Sequence, residues 1–185
     1  MTEAALQDAK RKMDSAVHAL DRDLTGVRTN RASPGLVDHI RVDYHGTEMP
    51  LNQLAQISVG DARMLVIQPW DKSAVPMIEK AIQKSDLGIM PRVEKDLLRI
   101  NLPPLTEERR RDIMKMVSRR TEEGRIAVRN VRREAQDKIR AAEKGGDISE
   151  DQSKRFQTQL QKLTDDSIAR IDGALKKKEA DVLQV

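Results

Sequence analysis

Residues 103–146 read PPLTEERRRDIMKMVSRRTEEGRIAVRNVRREAQDKIRAAEKGG, and the period of that stretch decides the fold. Pro103-Pro104 cannot continue any preceding element, because proline lacks a backbone N–H and restricts the residue before it. Thr106, followed by Glu107, Glu108 and Arg109, reads as an N-cap with acids in the first turn, where they meet the positive end of the helix dipole. From there Ile113, Val117, Val128, Val131, Ala135, Ile139 and Ala142 hold helical spacing, until Gly145-Gly146 stops the run after Lys144. At 1.5 Å per residue this helix is about 57 Å long, against about 11 to 12 residues for an ordinary globular helix. One amphipathic rod of that length cannot bury its own stripe. It needs partners.

Two further segments supply them. From about Glu3 to Thr29, Leu6, Met13, Leu20 and Val27 stand seven apart with Val17 and Leu24 between them, a heptad seam of about three repeats. The third helix opens at Ser149, with Glu150 and Asp151 in its first turn, and carries Phe156, Leu160, Leu163, Ile171, Leu175 and Val182 on one face over about 50 Å. Three seams of this kind close as an elongated antiparallel bundle. The first helix is shorter, about 40 Å, so one end of the bundle is expected to be two-stranded.

Between Arg31 and Leu102 the period changes. Ile40, Val42 and Tyr44 alternate with Arg41 and Asp43, His45-Gly46-Thr47 makes a turn, and Met49-Pro50-Leu51 resumes the strand. Met64-Leu65-Val66-Ile67 reads as a buried strand ended by Pro69, Ala74 to Lys84 as a short helix closed near Asp86-Leu87-Gly88, and Leu97, Leu98, Ile100 and Leu102 as a last strand. The lone Trp70 is expected to pack inside this module. The fold class is therefore α+β: a three-helix bundle formed by residues 1–30 and 105–185, with a small mixed module, 31–104, inserted between two of its helices. Two segments cross the boundary, 28–34 and 102–106, and each carries proline. Together they predict a double-stranded hinge built from Thr29, Asn30, Ala32, Ser33, Pro34, Pro103, Pro104, Leu105 and Thr106, with limited interdomain motion.

Composition agrees with thin helical packing, since 35% of the 185 residues are charged and only 2% aromatic. With no cysteine, disulfides, thiolate nucleophiles and Cys-ligated metals are excluded. The chain opens on a charged helical pattern and holds no apolar run of about 18 residues, so a cytoplasmic protein without membrane contact is expected. Catalytic readings find no support: there is no glycine-rich phosphate loop and no carboxylate pair that stands out. His18, His39 and His45 match no metal-ligand spacing, and neither metal nor cofactor is expected.

Net charge is only +4, from 34 Lys and Arg against 30 acids, so the distribution of charge must decide what it binds. On a wheel of 100° per residue with Arg125 at zero, Arg132 falls at about 340°, Arg129 at about 40°, Arg140 at about 60° and Arg133 at about 80°. The apolar residues of the same stretch fall between about 240° and 320°, so the arginines form one stripe beside the seam. Like charges at these spacings cost a few tenths of a kcal/mol per pair, which implies a compensating anion. A solvated charged face is the plain alternative. Against it stand the use of arginine, whose planar fork matches phosphate oxygens, and the one-sided clustering. Without aromatic platforms, single-stranded base reading is disfavoured, and recognition of folded RNA through its phosphates remains. Arg109 to Arg111 and Arg119-Arg120 lie on mixed sides of the helix and read as solubility and acid pairing.

Several segments also match one family in order. These are Arg28-Thr29-Asn30-Arg31-Ala32-Ser33-Pro34, Tyr44-His45-Gly46-Thr47, Ser85-Asp86-Leu87-Gly88 and Pro104-Leu105-Thr106-Glu107-Glu108-Arg109-Arg110. Val128-Arg129-Asn130-Val131-Arg132-Arg133 and Ile148-Ser149-Glu150-Asp151 complete the set. The chain resembles bacterial ribosome recycling factor over essentially its whole length. The resemblance implies an L-shaped, tRNA-like protein with a three-helix rod and a β/α/β head. It implies a non-enzymatic translation factor that binds the post-termination 70S ribosome and the 50S subunit. With elongation factor G, and GTP bound and hydrolysed on that partner, such a factor splits the subunits so that mRNA and deacylated tRNA leave. By position, Arg129, Arg132 and Arg133 are then the central contacts to large-subunit rRNA. Arg125 and Arg140 share their stripe, and Arg28 and Arg31 lie in the hinge motif. Two departures stand out: Asn30 where the family usually has Gly, and Met90 where Asn commonly precedes Pro91. Asn tolerates positive φ better than most residues.

Two other readings stay open on the residues alone. A coiled-coil adaptor would pair its seams with a protein helix and dimerise, whereas a closed three-helix bundle is expected to be monomeric. An RNA chaperone of low specificity would bind unrelated structured RNAs equally well.

Overall fold

The helix read from residues 103–146 spans Glu107–Lys144 (α4) in a computed structural model that describes residues 2–184. It ends where the glycines predicted. Gly146 has φ +78°, its N–H donates to the Glu143 carbonyl (3.1 Å), and the Asp147 N–H donates to the Ala142 carbonyl (2.9 Å). That pair of bonds is a Schellman cap. The next helix, Glu150–Leu183 (α5), starts with a capping box: Gln152 N–H donates to Ser149 Oγ (3.3 Å), and Ser149 N–H donates back to Gln152 Oε1 (2.9 Å).

The first helix, Thr2–Thr25 (α1), stops four residues short of the expected Thr29. Gly26 lies just beyond its end, and the Val27 N–H drops to a three-residue bond with the Leu24 carbonyl (3.1 Å), so the last turn tightens and the helix is released. The seam is otherwise as read: Leu6, Met13, Val17, Leu20, Leu24 and Val27 are all buried, and Ala9 joins them.

These three helices form one unit, the chain up to Arg28 together with Glu108–Val182. Ion pairs fix its antiparallel register: Lys12 with Glu134 (2.9 Å) between α1 and α4, and Arg125 with Asp172 (2.6 Å) between α4 and α5. The face of α5 departs from expectation. Leu160, Ile171 and Val182 are buried, but Phe156, Leu163 and Leu175 are only half-buried, while Ser153, Thr164 and Ser167 lie in the core. Thr164 Oγ1 donates to the Leu160 carbonyl (2.8 Å) and Ser153 Oγ to Glu143 Oε2 (2.6 Å), which removes the cost of burying their hydroxyls. Narrow residues let the helices approach closely. Gly124 is the clearest case, since a Cβ there would stand 3.3 Å from Leu20 Cδ2 and 3.6 Å from Ile171 Cδ1.

The second unit takes in Thr29–Glu107 together with Leu183 and Gln184, where 31–104 was expected and the bundle was expected to reach 185. A hairpin pairs Arg41–Tyr44 (β1) with Thr47–Pro50 (β2). His45 at φ +51° and Gly46 at φ +86° make its tight turn, and Asp43 Oδ1 accepts the Gly46 N–H (2.9 Å). Leu51 does not extend β2. It opens a single helical turn, Leu51–Leu54 (α2), whose two leucines are buried. A four-stranded antiparallel sheet follows, built from Ala55–Asp61 (β3), Met64–Pro69 (β4), Arg92–Glu94 (β5) and Leu97–Asn101 (β6), in the order β3-β4-β6-β5. Both edge strands, β3 and β5, escaped the sequence reading. β5 is three exposed residues, and β3 loses its alternation beyond Ile57, so neither carries a strand period. Helix Val75–Lys84 (α3) buries Val75, Ile78 and Ile82 in the same core as Val42, Leu65, Ile67, Leu98 and Ile100.

Candidate nucleic-acid interface

On α4 the seam and the stripe separate as the wheel required. Val128, Ala135, Ile139 and Ala142 are buried, with Val131 half-buried, while Arg129, Arg133 and Arg140 are exposed and Arg132 is intermediate at the seam's edge. The five arginines are not equivalent, however. Arg125, 24% exposed in its side chain, turns its Nε and Nη2 to Asp172 Oδ1 on α5 (3.1 and 2.6 Å) and its Nη1 to Glu122 Oε2 (3.1 Å). Those two carboxylates hold its guanidinium above the ordinary range. Arg129 gives Nη1 to the other oxygen of Glu122 (3.1 Å) and keeps its remaining donors open. Arg132, Arg133 and Arg140 have no hydrogen bond or ion pair among the described residues.

The compensating anion is thus partly internal. Glu122 bridges Arg125 and Arg129 with one oxygen each, and both arginines, Arg125 first, pull its carboxyl below the usual range. Its wheel angle, about 60°, lies inside the stripe. Counting the stripe from Arg125 hid it three residues upstream. Arg120 was also misread as solubility and acid pairing: its Nη1 donates to the Asp23 carbonyl in the last turn of α1 (3.0 Å), a cap supplied by another helix.

The crossing segments are built with equal care. Asn30 adopts φ +57°, the left-handed region that its family-unusual side chain tolerates, and its Nδ2 donates to the Pro103 carbonyl (3.1 Å). One segment is thereby tied to the other. Ala32 is buried and its N–H donates to the Ala62 carbonyl (2.8 Å), while the Leu102 N–H donates to the Arg63 carbonyl (2.7 Å). Thr29 and Leu105 are buried, whereas Ser33, Pro34, Pro103, Pro104 and Thr106 are exposed, as are Arg28 and Arg31.

Elsewhere the expected residues part company. His39 Nε2 pairs with Asp86 Oδ1 (3.1 Å), His45 sits edge-on to the Tyr44 ring at 4.5 Å, and His18 is exposed on α1. Trp70, expected in the module core, is 62% exposed: it follows the last residue of β4, and only its backbone is tied in, the N–H donating to the Leu54 carbonyl (3.1 Å). Met90, the second departure from the family pattern, is also exposed. No helix among the described residues is long and apolar enough to cross a membrane.

Fold and surface together define an α+β protein whose long-helix unit presents a cationic stripe on one face. A family model described as Ribosome recycling factor matches residues 20–183. Ribosome-recycling factors from Geobacillus kaustophilus (strain HTA426) and Dehalococcoides mccartyi (strain CBDB1) are each 49% identical over 185 residues, covering 100% of both chains in each comparison. A solution structure of the ribosome recycling factor superposes with TM-score 0.71 at 44% identity, covering 100% of this chain and 98% of that one. A second solved structure, of models for the T. thermophilus ribosome recycling factor and the E. coli elongation factor G bound to the E. coli post-termination complex, gives TM-score 0.64 at 44% identity. It covers 99% of each chain. This chain belongs to the ribosome recycling factor family, a family of translation factors.

Proposed function

We propose that this chain binds the post-termination ribosome through α4, laying Arg129, Arg132, Arg133 and Arg140 against phosphates of large-subunit rRNA. The observation that carries this reading is the group of three arginines, Arg132, Arg133 and Arg140, that share one face and have no partner among the described residues. A planar fork offers two parallel N–H donors to a phosphate, and several in a row give attachment that depends steeply on salt. The chain then works with elongation factor G, which binds and hydrolyses the GTP. Subunits separate, and mRNA and deacylated tRNA leave. The relative solved with both the factor and elongation factor G on a post-termination complex supports this partnership.

In this account the 28–34 and 102–106 segments form the hinge on which the inserted unit moves. The protein acts in the cytoplasm as a monomer without a cofactor, and it catalyses no covalent step itself. The test is a splitting assay on purified post-termination 70S complexes with elongation factor G and GTP. Adding this protein should accelerate subunit separation and mRNA release. No stimulation at saturating protein would refute the proposal.

A further inference from the structure

Within the stripe, the structure separates arginines that are already occupied from arginines that are not. Arg125 commits three of its donors to Asp172 and Glu122. Arg129 commits one to Glu122 and, at 51% side-chain exposure, leaves the rest to solvent. Glu122 is itself 47% exposed, so its carboxylate faces whatever approaches Arg129. An anion that docks there must take Arg129 from Glu122 and then sit beside a like charge.

We propose that Glu122 is a specificity-determining residue of the interface: a built-in competitor of phosphate that only a dense phosphate array displaces. The inference rests on the stripe being the rRNA-binding face and says how that face chooses among polyanions. An isolated or sparse phosphate reaching Arg129 gains one charge-assisted pair, loses another of equal kind, and is repelled by the carboxylate. An array that also fills Arg132, Arg133 and Arg140 gains new pairs with no internal pair lost, so it bears the exchange at Arg129 easily. Rejecting wrong partners by a repulsive element in this way is ordinary negative selection at interfaces. Arg125 does not exchange. Clamped by Asp172 on the neighbouring helix, it is a positioning residue that holds Glu122 in reach of Arg129.

The experiment measures Kd for purified 50S subunits and for an RNA trinucleotide, whose two phosphates make it the sparse case, using the full-length protein and its variants Glu122→Gln, Glu150→Gln and Arg132→Ala. Glu122→Gln keeps the shape and removes the charge. Glu150 pairs with Lys154 at the start of α5, so Glu150→Gln makes the same change in net charge away from the stripe. Glu122→Gln should tighten trinucleotide binding about three- to tenfold at low salt, tighten 50S binding less, and so lower the 50S-to-trinucleotide preference. Glu150→Gln should leave that preference unchanged. Overlap of the Glu122→Gln and wild-type affinities, or an equal gain from Glu150→Gln, overturns the inference. Arg132→Ala separates the two claims, because its failure to weaken 50S binding removes the docking face itself. If Arg132→Ala weakens 50S binding and Glu122→Gln alters nothing, only the role of Glu122 falls. In an Arg129→Gln background the effect of Glu122→Gln should shrink to the direct repulsion between carboxylate and phosphate.

Discussion

Asn30 shows how much a single side chain can settle. Its φ of +57° would suit glycine, but glycine could not donate the bond to the Pro103 carbonyl. Asn30→Gly should therefore cost about 1 kcal/mol through the lost hydrogen bond, and Asn30→Ala about 2 to 3 kcal/mol through that loss plus left-handed strain. Urea denaturation of the two variants should rank them in that order. Asp71 offers a pH test at the same scale. The Ser73 hydroxyl, the Ser73 N–H and the Tyr44 hydroxyl, in that order, hold its carboxyl down at about 2 from an ordinary 3.8. A depressed acid stabilises the fold above its ordinary pKa and loses that contribution as pH falls toward its folded value. The turn before α3 should thus loosen between about pH 4 and 2, read by the fluorescence of neighbouring Trp70, and Asp71→Asn should flatten the change. The glycine that the family usually has at position 30 pointed to a positive φ there, which Asn tolerates. The bond to Pro103 was not legible, because it joins residues 73 apart.

Among the elements, the long helices were legible and the sheet edges were not. Caps, glycines and seven-residue spacing act locally and mark α4 and α5 to within a residue, whereas an edge strand such as β5 is defined by its partner β6 and carries no period of its own. Helix packing hides a second kind of information. Gly124 reads as a weak point in α4, yet a Cβ there would press on the Leu20 and Ile171 side chains. Gly124→Leu should destabilise the bundle by about 1 to 3 kcal/mol, seen as a lower thermal midpoint by circular dichroism at 222 nm. The polar members of α5 were missed for a related reason. A buried Thr164 is acceptable only because the Leu160 carbonyl lies within reach, and hydrophobic patterning does not register that.

At the scale of the whole molecule, charge distribution matters more than net charge. A balance of +4 says little, but the structure leaves three arginines of one helix face without internal partners while Arg125 and Arg129 share Glu122. The wheel located the stripe from sequence; it could not show which arginines were already engaged, since Asp172 comes from another helix and Glu122 lay outside the window. Docking of Arg132, Arg133 and Arg140 on rRNA phosphate is read from the salt dependence of 50S binding for wild type and Arg132→Ala. Arg132→Ala should bind about tenfold or more weakly, with a log–log salt slope shallower by about 1 and an unchanged circular dichroism spectrum. Equal affinity and equal slope in a folded variant would contradict it.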